Sequence, residues 1–231
     1  MKTIGLIGGV TWVSTVHYYR RLNELVADSL GGLHSARVIV FSLDFAPVAE
    51  AQHRGDWNEI GDRLTAAAKS LAAAGAEILL IGANTLHIVY DRVVAATGLP
   101  FVHIVDAVGC EAAERGLRRV GLLGTRFTME EPFYRERLER GFGLEVLTPD
   151  RADRDEVHRI IYEELAHDRV LASSRAAVSA VIGRLADRGA EAVILGCTEL
   201  PLLFPGVAED RGLPLLDPLE LHCRQAVRQA L

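Results

Sequence analysis

Gly75-Ala-Glu-Ile-Leu-Leu-Ile-Gly-Ala-Asn-Thr-Leu86 lies over Gly189-Ala-Glu-Ala-Val-Ile-Leu-Gly-Cys-Thr-Glu-Leu200 at an offset of 114 residues. The glycines, the Ala-Glu pair and the final leucine coincide, and the apolar runs between them match in character. A second pair, Ile4-Gly-Leu-Ile-Gly-Gly9 over Val120-Gly-Leu-Leu-Gly-Thr125, sits at an offset of 116. Two matches at nearly equal spacing indicate an internal repeat, so the chain is read as two similar lobes. Outward from these segments, short apolar runs alternate with longer amphipathic ones. Strands are expected at 3–7, 37–42, 77–81, 101–102, 120–123, 144–147, 192–195 and around Leu215. Helices are expected over 14–30, 57–74, 106–115, 130–140, 153–165, 173–188 and 218–230. Strand–helix alternation calls for βαβ units, hence an α/β fold of two pseudo-symmetric lobes, each a mostly parallel sheet flanked by helices. Gly75 and Gly189 stand where a left-handed helix C-cap favours glycine, and Thr128 with Glu131 reads as a capping box.

The chain has 231 residues, 25 Lys and Arg against 31 Asp and Glu, a net charge of −6 and three cysteines. An acidic balance argues against a sequence-independent nucleic-acid binder, which needs a basic stripe to displace counterions. The basic clusters at 115–119 and 135–140 have glutamates among or beside them and read as solvated helix faces. No apolar stretch approaches the ~20 residues of a membrane-spanning helix, and the start lacks the pattern of a secretory leader. Three widely spaced cysteines give neither a disulfide framework nor metal-ligand spacing. The expectation is a soluble, reduced, cytoplasmic protein without nucleic-acid or membrane partners.

In open α/β sheets ligands bind beyond the carboxyl ends of the strands. The loops that matter are therefore 8–15, 82–87, 124–128 and 196–201, which line one cleft if the lobes face each other. They offer Thr11, Ser14, Asn84, Thr85, Thr125 and Thr198 with many backbone N–H groups, a donor set suited to a small carboxylate. No P-loop is present, and Gly5, Gly8 and Gly9 do not spell a dinucleotide fingerprint. Cys197 follows a buried strand and precedes Pro201 at a plausible first helical position. A helix end would lower its pKa, whereas neighbouring Glu199 would raise it. Cys110 and Cys223 fall inside helices and read as structural. His87 has two readings, a donor to substrate or a residue holding its loop. His103 and Asp106 suggest a relay with a serine, but no nucleophile elbow exists. Tyr18 and Tyr19 read as packing or dimer contacts, and Trp12 as closing the cleft.

Residues 4–23 (IGLIGGVTWVSTVHYYRRLN), 121–134 (GLLGTRFTMEEPFY), 158–165 (HRIIYEEL), 194–200 (ILGCTEL) and the late Asp217 and His222 together resemble the aspartate/glutamate racemase family. The resemblance implies a two-lobed, often dimeric enzyme that racemises a small amino acid without pyridoxal phosphate, metal or other cofactor, its active site in the cleft between lobes. The first lobe would comprise 1–102 plus 210–231, the last helix returning to it, and the second 103–209. Family members place an acid/base group, commonly cysteine, on each side of the substrate's α-carbon, because inversion by proton transfer needs a base on one face and an acid on the other. The carbanion needs hydrogen bonds around its carboxylate. By resemblance that work falls to Asn84, Thr85, Thr125 and Thr198, with Ser14 or Glu199 at the amino group.

The repeat sets Ala83 opposite Cys197, where the family usually has Cys and sometimes Thr. Alanine has no proton to exchange, so the symmetric two-thiol mechanism is not expected. Another group or a water serves that face, or the reaction needs only one acid/base, as in the similar arylmalonate decarboxylases, or the residue was removed by engineering. A catalytically dead carboxylate-binding relic is the non-enzymatic alternative. Val13 replaces the glutamate usual in the first loop. Gln52 and His167 fall by analogy beside the substrate side chain, and neither is a permanent cation of the kind a distal carboxylate prefers. Arg54 or Arg126 could supply one.

Overall fold

The computed structural model describes residues 1–231 and divides by its internal contacts into two units, Met1–Ile104 with His222–Leu231, and Val105–Leu221. In the first unit β1 (Ile4–Gly8), α1 (Trp12–Leu30), β2 (Val38–Ser42), α2 (Phe45–Arg54), α3 (Trp57–Ala73), β3 (Ile78–Ile81) and α4 (Tyr90–Thr97) follow in turn. The second contains nearly all of α5 (Ile104–Glu114), then β4 (Arg119–Gly124), α6 (Arg126–Glu130), α7 (Pro132–Phe142), β5 (Glu145–Leu147), α8 (Arg151–Glu163), α9 (Ala172–Asp187), β6 (Ala192–Gly196), β7 (Glu209–Asp210) and β8 (Leu213–Leu216). Helix α10 (Pro218–Ala230) begins in the second unit and ends in the first.

The first sheet has the order β2-β1-β3 and the second β5-β4-β6-β8-β7, all parallel except the β7–β8 pair. The repeat holds at the level of register: Ile4 pairs with Ile78 as Val120 pairs with Ala192. It extends to a fourth position, because Leu79 bridges Phe101 as Val193 pairs with Leu215. The shared Ala-Glu dipeptide has a physical role. Glu77 donates its backbone N–H to the Thr3 carbonyl (2.8 Å) while its Oε2 accepts the Thr3 N–H (2.7 Å). Glu191 does the same at the start of β4, donating its N–H to the Arg119 carbonyl and accepting the Arg118 and Arg119 amides (2.6 and 2.9 Å). Each glutamate thus fastens the strand after a long helix to the first strand of its unit. Gly75 and Gly189, at φ +95° and +87°, end those helices in the left-handed region.

Each sheet is buried against its helices. Ile7, Leu79 and Ile81 pack with Val48, Ile60, Leu64 and Leu71 in the first unit. Leu123, Val193 and Leu195 pack with Val157, Ile160, Val178 and Ile182 in the second. Burial on both faces is why these strands read as continuous apolar runs. The sequence reading differs in several places, the short strand β7 among them. Residues 210–221, expected with the first lobe, belong to the second unit, where β8 bonds to β6. Helices α2 and α4 are additional. The helix expected over 130–140 is α7, opened by Pro132, and a separate short helix, α6, precedes it and ends at Glu130. Thr128 lies inside α6 and no capping box forms; Thr125 is the N-cap, its hydroxyl accepting the Thr128 N–H at 3.3 Å.

Tyr134 on α7 is completely buried and its hydroxyl has no hydrogen-bond partner. An unpaired buried hydroxyl carries a desolvation penalty that phenylalanine lacks. Tyr134→Phe is expected to raise stability by about 1 kcal/mol, read as an increased denaturation midpoint at unchanged slope.

Candidate active site

In the first unit β1 and β3 end side by side, with the Gly82 N–H donating to the Ile7 carbonyl at 2.8 Å. The loops at 8–15 and 82–87 therefore leave one edge of the sheet together. The first is tied down by hydroxyls. Ser14 and Thr15 donate to the Thr11 carbonyl (3.1 and 2.9 Å), and Thr15 Oγ1 accepts the Gly9 N–H (2.7 Å). Ser14 is fully buried at the start of α1, and Gln52 is buried near the end of α2. On the second loop Ala83, Asn84 and Thr85 are all buried. Both amide atoms of Asn84, Oδ1 and Nδ2, lack a hydrogen-bond partner. Native interiors seldom leave such groups unpaired, so each calls for a reason.

His87 holds this loop. Its Nε2 accepts the Ile104 N–H at 3.3 Å, so the proton sits on Nδ1 and is donated to the Ala83 carbonyl at 2.8 Å. Both ring nitrogens are thereby spent on backbone, which favours the loop-holding reading over donation to substrate. His222 is similarly engaged. Its Nε2–H donates to the Val102 carbonyl at 2.8 Å and its Nδ1 accepts from the Tyr18 hydroxyl at 2.9 Å. Tyr18 is accordingly a buried structural contact, whereas Tyr19 and Trp12 are exposed. Burial depresses the pKa of His222 to about 4.

In the second unit β4 and β6 end in register, Gly124 opposite Gly196. A Cβ on Gly124 would lie 2.8 Å from the Gly196 carbonyl oxygen, and one on Gly196 2.6 Å from that of Leu123, so the close approach of these strand ends requires glycine at both. Thr125 follows one strand and Cys197, Thr198 and Glu199 the other, all four buried. Cys197 Sγ donates to Glu199 Oε2 at 3.0 Å, and Thr198 Oγ1 donates to the same oxygen at 2.8 Å. Burial, and then the Glu199 carboxylate, push the Cys197 thiol well above its ordinary value, outweighing the lowering by the Glu199 and Leu200 backbone amides. The helix expected at Pro201 is only a 3-10 turn, Leu200–Leu203, too short to supply a strong dipole.

Two further residues, both on α8, carry no signal in the strand-end loops. Tyr162 on α8 packs against the core that contains Cys197, and its hydroxyl is raised chiefly by burial and further by the nearby Glu199 carboxylate. His158, one turn earlier, lies 4.6 Å from the Tyr162 ring and accepts the Arg126 N–H at 3.1 Å. Their i, i+4 spacing within HRIIYEEL is the one hint the sequence offers.

Other candidates fall elsewhere. His167 sits exposed in the turn Leu165–His167, its ring making no hydrogen bond. Arg54 is paired with Glu59 at 2.7 Å and Arg126 with Asp155 at 3.0 Å, both on the surface. Asp106 forms a bidentate pair with Arg137 (2.5 and 2.7 Å), while the His103 ring lies tilted against His87 and edge-on to Tyr90, so the two do not form a relay. Asp217 Oδ1 caps α10, accepting the Leu219 and Glu220 amides at 2.9 and 3.4 Å, and burial raises its pKa to about 6. No three His, Cys, Asp or Glu side chains cluster as metal ligands would, and no helix is long and apolar enough to cross a membrane.

The family model for Asp/Glu/Hydantoin racemases matches residues 7–226. A Yersinia pestis structure described as a candidate Asp/Glu racemase is 46% identical, with a TM-score of 0.91 over 100% of this chain and 99% of that one. An aspartate racemase homologue from Pyrococcus horikoshii OT3 is 38% identical, with a TM-score of 0.84 over 100% and 99%. The glutamate racemase of Beutenbergia cavernae is 30% identical over 201 residues, 80% of this chain and 65% of that relative, so the chain spans just under two thirds of its length. A family match that begins inside β1 and ends in α10 takes in both repeats, and the chain belongs to the Asp/Glu/hydantoin racemase family.

Proposed function

We propose that this protein is a cofactor-independent racemase of aspartate, glutamate or a related small amino acid, with Cys197 as its acid/base. The observation that carries this reading is the buried thiol at the end of β6, its proton directed at Glu199. A sulfur in that setting exchanges a proton with a carbanionic α-carbon without exposing it to bulk water. The unpaired amide of Asn84 supports a carboxylate ligand, since its Nδ2 donates two hydrogen bonds that no protein group takes. With Thr85, Thr125 and the backbone N–H of Thr198, whose hydroxyl is held by Glu199, it would carry the charge that develops on the α-carboxylate when the Cα–H bond breaks. Ser14 would meet the amino group through the lone pairs of its buried hydroxyl, as would a carboxylate oxygen of Glu199. Gln52, buried near the end of α2, would face the substrate's side chain. A cytoplasmic homodimer belongs to the same reading.

Ala83 makes the reaction asymmetric, because its methyl group neither gives nor takes a proton. Proton transfer on that face then falls to water. The test is NMR of L- and D-aspartate, L- and D-glutamate and neutral amino acids in deuterated water. The expected result is α-proton exchange that is much faster for one enantiomer; no exchange with any substrate would overturn the racemase reading. Ala83 also favours a second reading, a carbon–carbon lyase that makes its carbanion by decarboxylation and protonates it from Cys197. In deuterated water that enzyme places deuterium in the product alone and leaves the substrate unlabelled.

A further inference from the structure

We infer that Glu199 is a positioning residue that keeps Cys197 in its S–H form, so that the thiol enters turnover as a proton donor rather than as a thiolate base. The inference rests on the reading of Cys197 as the acid/base and says which half of that role the resting protein is built for. The geometry is a fork. One carboxylate oxygen, Glu199 Oε2, accepts from Cys197 Sγ at 3.0 Å and from Thr198 Oγ1 at 2.8 Å, with all three residues buried. Removing the thiol proton would set a thiolate against a carboxylate at that separation, where little water screens them, and like charges so placed disfavour joint ionisation. Thr198 spends its hydroxyl proton on the carboxylate, which steadies the acceptor rather than the sulfur.

The repeat sharpens the point. At the offset of 114, Cys197, Thr198 and Glu199 correspond to Ala83, Asn84 and Thr85. The first unit therefore lacks the carboxylate as well as the thiol, and the two chemical groups occur as a pair. The titratable group that interacts with the pair from another element is Tyr162 of α8, and the His158 ring lies tilted 4.6 Å from its own. Neither brings a positive charge that would favour the thiolate: Tyr162 is neutral or anionic, and the His158 Nδ1 is occupied as an acceptor by the Arg126 amide. In the donating step the S–H bond breaks, its electron pair stays on sulfur, and the proton forms the new C–H bond at the substrate carbanion. The thiolate left beside Glu199 then recovers a proton from water, which resets the donor.

The test is a pH titration of thiolate absorbance near 240 nm, taken as the difference between each protein and its Cys197→Ser counterpart, so that Cys110, Cys223 and the tyrosines cancel. Glu199→Gln keeps the shape and removes the charge. Its Cys197 midpoint is expected to fall by at least one pH unit, a gain of about tenfold or more in acidity. Glu199→Asp, which keeps the charge, is expected to titrate nearer the native protein than Glu199→Gln does. An unchanged or higher midpoint in Glu199→Gln would overturn the inference. If that variant does not fold, infrared difference spectra of the native protein against Cys197→Ser at pH 8 serve instead. A red-shifted S–H stretching band supports the fork, and absence of any S–H band overturns it. Neither experiment requires turnover, so a protein that titrates as expected yet exchanges no α-proton would sink the racemase reading while leaving the Cys197–Glu199 pairing intact.

Discussion

Cys197→Ser is expected to slow α-proton exchange by about 10²–10⁴-fold, the range that a positioned acid/base contributes, with ligand affinity nearly unchanged. Serine is almost isosteric, and the site tolerates it because Glu199 Oε2 accepts from a hydroxyl as readily as from a thiol. The loss therefore comes from chemistry rather than folding: a serine hydroxyl is a far weaker acid than a thiol and does not cycle its proton at neutral pH. Circular dichroism and a carboxylate-ligand titration separate the two causes, since a misfolded variant loses both activity and binding. Unchanged turnover would remove Cys197 from the mechanism. The complementary change is Ala83→Cys, which installs a thiol at the position the repeat makes equivalent. Its expected effect is to bring the rates for the two enantiomers closer together, and the cost of the added sulfur is read from its denaturation midpoint.

The parts of the fold that were legible are those where burial leaves a one-dimensional trace. Strands covered on both faces appear as uninterrupted apolar runs ended by glycine, and β1, β3, β4 and β6 could be placed within a residue or so. Helix α2 escaped notice because Pro47 falls in its first turn, where proline is tolerated. Helix α4 is only eight residues long, with two adjacent valines, and shows too few turns for a periodicity. At the site, Cys197 was visible because the repeat flags its position. Its protonation was not, since the outcome depends on how a tight turn directs the Glu199 carboxylate two residues away. Tyr162 lies 35 residues earlier on another element, and only tertiary packing brings it to the thiol. Asn84 was nameable as a donor, but that its amide lacks a protein partner is a property of the folded loop alone.

The stability of this protein over mildly acidic pH is expected to be nearly flat because two groups at the start of α10, the half-buried Asp217 and the buried His222, oppose each other. Asp217 is raised from 3.8 to about 6, so the folded state holds its proton more tightly than the unfolded chain does. Its contribution is fully present below pH 3.8 and is lost as the pH rises through 6. His222 is depressed from 6.5 to about 4, and its contribution is present above pH 6.5 and lost as the pH falls toward 4. Glu156, Glu164 and Glu191 are all lowered and add losses of their own below about pH 4.5, so the clean window lies above that value. Between pH 4.5 and 7 each of the opposed groups is worth about 2 kcal/mol, at 1.36 kcal/mol per pH unit of displaced titration. Asp217→Asn removes one side of the balance and keeps an oxygen for the Leu219 and Glu220 amides. Its stability is expected to climb by about 2 kcal/mol from pH 4.5 to 7, where the native protein changes little, and at pH 7 it should exceed the native value. His222→Gln leaves the opposite slope and sits on a lower curve throughout, because Tyr18 and the Val102 carbonyl lose a partner that fits both. Urea denaturation at half-unit pH intervals reads all three proteins. Parallel curves for the native chain and Asp217→Asn would show that Asp217 titrates alike in the folded and unfolded states, and the opposition would then have no basis.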